Sequence, residues 1–263
     1  MDIINSDSNT YIKYLKKLYN TRQRKKEGMF ILEGTRIIEE AAKSGIKFEY
    51  LYITPEYKTE NLDIDLNNLE IKYVEKNLLE DIASTVTPQG IIAVVNKPDY
   101  NFSKLNNKNC ILVLDRVQDP GNMGTLIRTA VAAGIDGIIA LKGCVDIYNL
   151  KVIRATMGAI FNIPLLTRID IEKFLDIYQN NKFTLIATDI NGNNIYEKDK
   201  YPEPVFLVIG NEAEGIRNEI LDVADQILKI PILGQIDSLN AGITGGIIMY
   251  DYVGKNVISS SNN

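Results

Sequence analysis

Apolar positions along the chain change period several times, and each change marks an element. Ile12, Leu15, Leu18 and Tyr19 fall on one stripe, which predicts a helix over 8–20 with Ser8 or Asn9 as its cap. A basic turn and an apolar stretch at 29–32 follow. Thr35 is placed to cap a helix running to Ser44, with Ile37, Ile38, Ala41 and Ala42 inward and Gly45 just past its end. Phe48–Ile53, Ile71–Val74 and Ile91–Asn96 read as strands, with a short helix over 78–83 between the last two. These elements make a small α/β unit with its own core.

Residues 97–109 are polar and carry a proline, which reads as a linker. The expected domains are therefore 1–97 and 110–263, joined through 98–109. Beyond the linker the pattern restarts as strand 110–115, helix 125–133 and strand Gly137–Leu141. A helix over 148–160 with Asp146 as its cap, strand 163–166, helix 171–180 and strand 183–188 come next. A polar loop over 189–204 leads to 205–250, which reads as strand, tight loop, helix, and then the same again. Apolar strands alternating with helices imply a mostly parallel sheet covered on both faces. Gly210-Asn211-Glu212 and Asp237-Ser238-Leu239-Asn240 sit in the two tight loops of the last stretch. Loops leaving parallel strands at one sheet edge form a pocket.

Composition narrows the chemistry. The chain has 263 residues and no histidine, so Ser–His or Cys–His activation and histidine-ligated zinc are excluded. Its two cysteines, Cys110 and Cys144, lack metal-ligand spacing and read as buried thiols, and no metal is expected. No apolar run reaches membrane-spanning length, and the N-terminus does not resemble a signal peptide, which points to the cytoplasm. The net charge of −5 argues weakly against a polyanion, but the distribution says otherwise. Lys13, Lys16, Lys17, Arg22, Arg24, Lys25 and Lys26 lie in one run without an acid. Such a run is either a solvated helix face or an RNA phosphate contact.

Three stretches carry candidate chemistry. In 115–134 a strand enters a loop with Pro120, Gly121 and Gly124 that opens a helix, a seat for phosphate or carboxylate. Asn122 stands where a cap would, and Arg128 about one turn inside. In 207–216, Gly210 and Gly215 fit turn geometry, and Glu212 can accept hydrogen bonds or orient a neighbouring arginine. In 230–253, Ser238 is placed to cap the last helix. That helix carries Gly242, Gly245 and Gly246, each about 1 kcal/mol less favourable than alanine in a helix interior. A close approach to its backbone is expected, by a bound cofactor or by a crossing helix. A phosphorylated metabolite bound at the Gly121–Gly124 helix start is the other enzymatic reading of these residues.

Together the stretches resemble the three motifs of the SpoU (TrmH-like) RNA 2′-O-ribose methyltransferases of the SPOUT superfamily. The first is Asn122-Met-Gly-x-x-x-Arg128, the second runs from Ile209 to Gly215, and the third is Ile230-Pro with Ser238-Leu-Asn240. The N-terminal unit, through its basic helix and 29–41, is similar to the family's L30e-like substrate-binding domain, and 146–164 resembles a further family segment. The resemblance implies an α/β sheet with a C-terminal trefoil knot, a homodimer, and S-adenosylmethionine as cofactor. By position it implies cofactor contacts at Gly210, Ile230 and Leu239, with Thr188, Ile209 and Gly215 beside them. It also implies a catalytic group of Asn122, Arg128, Glu212, Ser238 and Asn240, and RNA contacts by the basic run and Arg154. The expected acceptor is 23S rRNA; transfer RNA, or an inactive RNA-binding protein of the same fold, are the alternatives. Ala213, and Ala241-Gly242 after Asn240, depart from the common motifs.

Overall fold

The computed structural model describes residues 2–259. These residues divide into two compact units, 2–99 with 148–161, and 100–147 with 162–259.

In the first unit β1 (Ile3–Ile4) precedes α1 (Thr10–Leu18), capped by the Asn9 side chain on the Tyr11 amide. Ile12, Leu15 and Leu18 are fully buried, as their spacing requires. The basic run does not continue as a turn. A second cap, Asn20 on the Arg22 amide, starts α2 (Thr21–Glu27), which Gly28 ends at φ +66°. β2 (Met29–Glu33) leads into α3 (Thr35–Lys43). Thr35 is not its cap: the Thr35 amide donates to Gln89 Oε1 at 2.8 Å, a partner 54 residues away that no local pattern reveals. β3 (Phe48–Ile53), β4 (Ile71–Val74), α4 (Lys76–Ile82) and β5 (Ile91–Asn96) complete the unit. Its sheet has the order β1-β4-β3-β5-β2, with β5 antiparallel to both neighbours.

The second unit begins before the expected domain. Residues 100–109 are part of it: Leu105 is fully buried and packs with Tyr100 and Phe102 against the core. β6 (Cys110–Leu114) enters α5 (Pro120–Ala132), which starts five residues earlier than its apolar stripe suggests. β7 (Gly137–Leu141) precedes α6 (Leu150–Thr156), capped by Asn149 rather than Asp146 and closed by Met157 at φ +53°. The segment Tyr148–Phe161, within the sequence range 110–263, groups with the first unit. β8 (Leu165–Ile169), α7 (Ile171–Gln179), β9 (Thr184–Asn194), β10 (Val205–Ile209), the one-turn α8 (Asn218–Leu221), β11 (Gln226–Lys229) and α9 (Ala241–Tyr252) follow.

All six strands of the second sheet are parallel, in the order β11-β9-β10-β6-β7-β8. Burial on both faces matches their unbroken apolar runs, β6, β7 and β10 being buried at every position. β9 runs further than expected, to Asn194, into the polar loop foreseen at 189–204. β11 pairs with Ile186 and Ala187, then resumes at Asn193 and Asn194, so 188–192 bulges from the ladder.

The glycines of α9 answer to a crossing helix. A Cβ on Gly245 would overlap Leu126 Cδ2 of α5, and one on Gly242 would stand 3.2 Å from Thr125 Cγ2. The small side chains let α9 lie close against α5, and this sets where the third motif ends up.

Candidate active site

Three loops after parallel strands build a cleft of about 410 Å³ in the second unit. The bulge of β9 gives Thr188, Asp189 and Ile190; the turn after β10 gives Gly210 to Gly215; the segments after β11 give Ile230, Ile232, Ser238 and Leu239. Each of the six residues expected to hold a cofactor, Gly210, Ile230, Leu239, Thr188, Ile209 and Gly215, lines it. A second cavity of about 380 Å³, in the first unit, is lined by Arg154 but by none of the three motifs.

The loop after β10 is a tight hairpin. Asn211 and Gly215 exchange both backbone hydrogen bonds at 3.0 Å, and the Asn211 side chain accepts from the Ala213 and Glu214 amides. The returning strand passes so close to Gly210 that any Cβ there would overlap the Gly215 backbone. Gly210 is thus fixed by backbone crossing, and the hairpin holds Glu212 outward.

Glu212 joins the other motifs through amides. Asn122 Nδ2 donates to Glu212 Oε1 at 2.6 Å, and Asn240 Nδ2 donates to Asn122 Oδ1 at 2.8 Å. Asn240 Oδ1 accepts from the Ile243 amide at 3.2 Å and caps α9. The direction of this chain is determined: an ionised carboxylate only accepts, so Asn122 must turn its NH₂ to Glu212 and its oxygen to Asn240. Asn122 is 9% exposed, so its amide is spent on these two partners.

Two cap assignments need correction. Asp119, not Asn122, caps α5, its Oδ1 accepting from the Asn122 amide at 2.8 Å. Asn122 is thereby the third helical residue, with its side chain free to bridge. Likewise Asn240 rather than Ser238 caps α9, and Ser238 lies exposed on the cleft wall.

Arg128 does not join this group. With α5 starting at Pro120, Arg128 lies more than two turns inside, not one. Six residues beyond Asn122 is about 240° around the helix, so it points to another face. It is exposed and makes no hydrogen bond or ion pair among the described residues. Glu212 therefore orients Asn122, not Arg128.

The residues of the basic run separate into two kinds. Lys13, Lys16 and Lys17 are exposed on the polar face of α1, and Arg22, Lys25 and Lys26 are exposed on α2. Arg24 is 3% exposed and donates to the carbonyls of Leu18 and Tyr19 and to Thr21 Oγ1, tying α1 to α2. It is a structural residue, unavailable to RNA. Arg154 is half-buried and donates to Ser84 Oγ at 2.8 Å, with the Glu33 carboxylate 3.6 Å away.

Behind the Glu212 hairpin stands a buried cluster that sequence reasoning did not single out. Asp115, at the end of β6, is fully buried and binds Arg217 and Arg116. An acid beside a base at a strand end is not distinctive by itself, and the partner that sets Asp115 apart, Arg217, is 102 residues away.

A parallel α/β sheet with a small-molecule cleft at its carboxyl edge, rimmed by an amide–carboxylate chain, defines a ligand-binding enzyme scaffold. Residues 109–250 match the SpoU rRNA Methylase family and residues 9–93 the MRM3-like substrate binding domain. The chain belongs to the SpoU rRNA methylase family. It is 31% identical over 250 residues to the 23S rRNA (guanosine(2553)-2′-O)-methyltransferase RlmP of Bacillus subtilis, covering 95% of this chain and 98% of that one. An AdoMet-bound rRNA methyltransferase from Sinorhizobium meliloti superposes with a TM-score of 0.88 at 28% identity, covering 97% and 98% of the two chains. The SpoU methyltransferase AviRb of Streptomyces viridochromogenes, in complex with AdoMet, gives 0.83 at 25%, covering 95% and 100%.

Proposed function

We propose that the chain is an S-adenosylmethionine-dependent RNA methyltransferase that methylates a ribose 2′-OH of 23S rRNA. The observation that carries this reading is the Glu212–Asn122–Asn240 chain, which brings three motifs from distant sequence to the rim of one cleft. The cleft fits the cofactor: its volume lies in the range of about 300–1,000 Å³ usual for small-molecule sites. Ile209, Ile230 and Leu239 offer apolar walls for a purine, and the main chain at Gly210 forms part of the same wall. Thr188 and Gly215 line the same space. When bound, the cofactor supplies a sulfonium-activated methyl group.

The protein's task is to orient the acceptor and take its proton. Glu212 Oε1 holds the Asn122 amide, which leaves Oε2 without a partner among the described residues and able to accept the hydroxyl proton. Asn122 and Asn240 fix that carboxylate, and Ser238 presents a hydroxyl to the cleft. Arg128, exposed on the other face of α5, meets an RNA phosphate through its guanidinium. Lys13, Lys16, Lys17, Arg22, Lys25 and Lys26 grip the backbone, and Arg154 adds a further cation. A knotted C-terminal region, a homodimer and a cytoplasmic location complete this reading.

The test is transfer of tritiated methyl from S-adenosylmethionine to 23S rRNA, to tRNA and to no RNA, with the product mapped for ribose methylation. Label at a 23S ribose, lost in Glu212→Gln and Arg128→Ala, is the expected result. Label on tRNA alone moves the substrate, label on a base refutes the chemistry, and no label makes the chain an RNA-binding protein. Undiminished transfer by folded Arg128→Ala shows that this residue takes no part in the reaction.

A further inference from the structure

We infer that Asp115 is a positioning residue for the proposed reaction: one buried carboxylate anchors both stems of the hairpin that carries Glu212. The inference rests on the methyltransferase reading above.

Asp115 is fully buried at the carboxyl end of β6. Its backbone amide donates to the Ile209 carbonyl at 2.8 Å, which places it beside the strand entering the hairpin. Oδ1 accepts from Arg217 Nε at 2.8 Å and from Nη2. Oδ2 accepts from the Arg217 backbone amide at 2.9 Å and from Arg116 Nε at 3.4 Å. The carboxylate thus clamps Arg217, where the hairpin returns, by main chain and side chain together.

The other stem is held through Arg116. Its carbonyl accepts from Asn211 Nδ2 at 2.9 Å, its Nη1 reaches the Glu214 carboxylate, and its Nη2 lies 3.4 Å from the Gly215 carbonyl. Arg116 has φ +56°, a conformation costly for a residue with a side chain. Gly143 makes room for it, since a Cβ there would come 2.8 Å from Arg116 Cγ. A strained arginine and a glycine accommodating it, both beside one buried acid, mark a region built to hold the hairpin. None of Asp115, Arg116 and Arg217 lines the cleft, so they act through Glu212 and the hairpin backbone.

The experiment is a double-variant cycle. Asp115→Asn keeps the shape and removes the charge; Arg217→Lys keeps the charge and loses the two-nitrogen fork, and serves if the first does not fold. Either variant should lower kcat about 100-fold, the effect of misplacing a reacting group by about 1 Å. In the Glu212→Gln background the same substitution should cost less than about threefold, because the group it positions is already lost. Hydrogen exchange at the Ala213, Glu214 and Gly215 amides should quicken in both variants without added cofactor. Losses that multiply in the double variant, or unchanged exchange at those amides, overturn the inference. Absence of RNA methylation by the unmodified protein would instead overturn the underlying reading, while the exchange result would still decide whether Asp115 holds the hairpin.

Discussion

Replacing Asn122 with aspartate tests the central chain of hydrogen bonds. The change keeps the shape but exchanges the NH₂ that serves Glu212, at 2.6 Å, for a second carboxylate oxygen. Two unit charges about 4 Å apart repel by about 4 kcal/mol at an effective dielectric of 20. Glu212 is partly exposed, so half of that, about 2 kcal/mol, is reasonable. This repulsion raises the proton affinity of the carboxyl pair that the variant creates, so the pair takes up a shared proton as the pH falls through its raised titration point. Above that pH both are ionised, Glu212 is pushed away, and transfer should fall about 100-fold. Below it the pair shares a proton, the hydrogen bond returns as O–H···O, and the rate relative to the unmodified protein should recover about tenfold. Asn122→Ala cannot share a proton, so its relative rate should stay flat with pH. Single-turnover methyl transfer between pH 5.5 and 8.5 measures both. Parallel pH profiles for the two variants would refute the assigned hydrogen-bond direction.

Other substitutions separate packing from chemistry. Gly245→Ala gains about 1 kcal/mol of helix propensity but must displace fully buried Leu126, at about 1–3 kcal/mol, so denaturant unfolding should show net loss. Gly246→Ala, whose Cβ would stand 3.9 Å from Thr129 Cγ2, should gain up to about 1 kcal/mol in the same measurement. Arg24→Ala should cost about 2–3 kcal/mol in stability through lost charge-assisted bonds to two carbonyls. Lys25→Ala should leave stability unchanged and reduce the salt dependence of RNA binding by about one counterion. Burial pushes the Cys144 thiol up to about 12, so it should resist iodoacetamide at pH 8 until the protein unfolds. The unfolded thiol ionises from about pH 8.5. Stability from this group should therefore be complete below that pH and decline as the pH rises towards 12.

The sheet of the second unit was legible because a parallel strand buried on both faces has an unbroken apolar run. β6 and β7 fall within a residue of their sequence limits, and β10 occupies the apolar run that opens 205–250. What failed was local polar chemistry with distant partners. Asn122, Ser238, Asp146 and Thr35 are all good cap residues, yet Asp119, Asn240, Asn149 and Gln89 make the bonds. Several polar residues near each helix start can serve, and tertiary demand for one of them decides which does. At α5 the demand falls on Asn122, whose amide is needed by Glu212 and Asn240. The basic run failed in a similar way. Charge alone does not distinguish Arg24, which turns into the α1–α2 junction, from the six cations that stay in solvent. The extension of β9 was hidden because residues 188–192 leave the ladder and Thr188, Asp189 and Asn191 break the apolar run.

The same logic explains how a site can be shared by residues 118 positions apart. β10 pairs with β6 on one side and β9 on the other, and β11 pairs with β9, so three loops open at one edge. That arrangement alone would not bring Asn240 to Asn122, because the chain after β11 still has 11 residues to cross before α9. The glycines of α9 complete the geometry. With Gly242 and Gly245 facing Thr125 and Leu126, α9 lies against α5 and its first turn sits beside the first turn of α5. The Asn240–Asn122 bond then joins two helix N-termini, and Glu212 places its negative charge near both positive dipole ends. Two of the three glycines that looked like a weakness in a helix, Gly242 and Gly245, are therefore a condition of the site, and any bulky residue at position 245 should separate Asn240 from Asn122 before it unfolds the sheet.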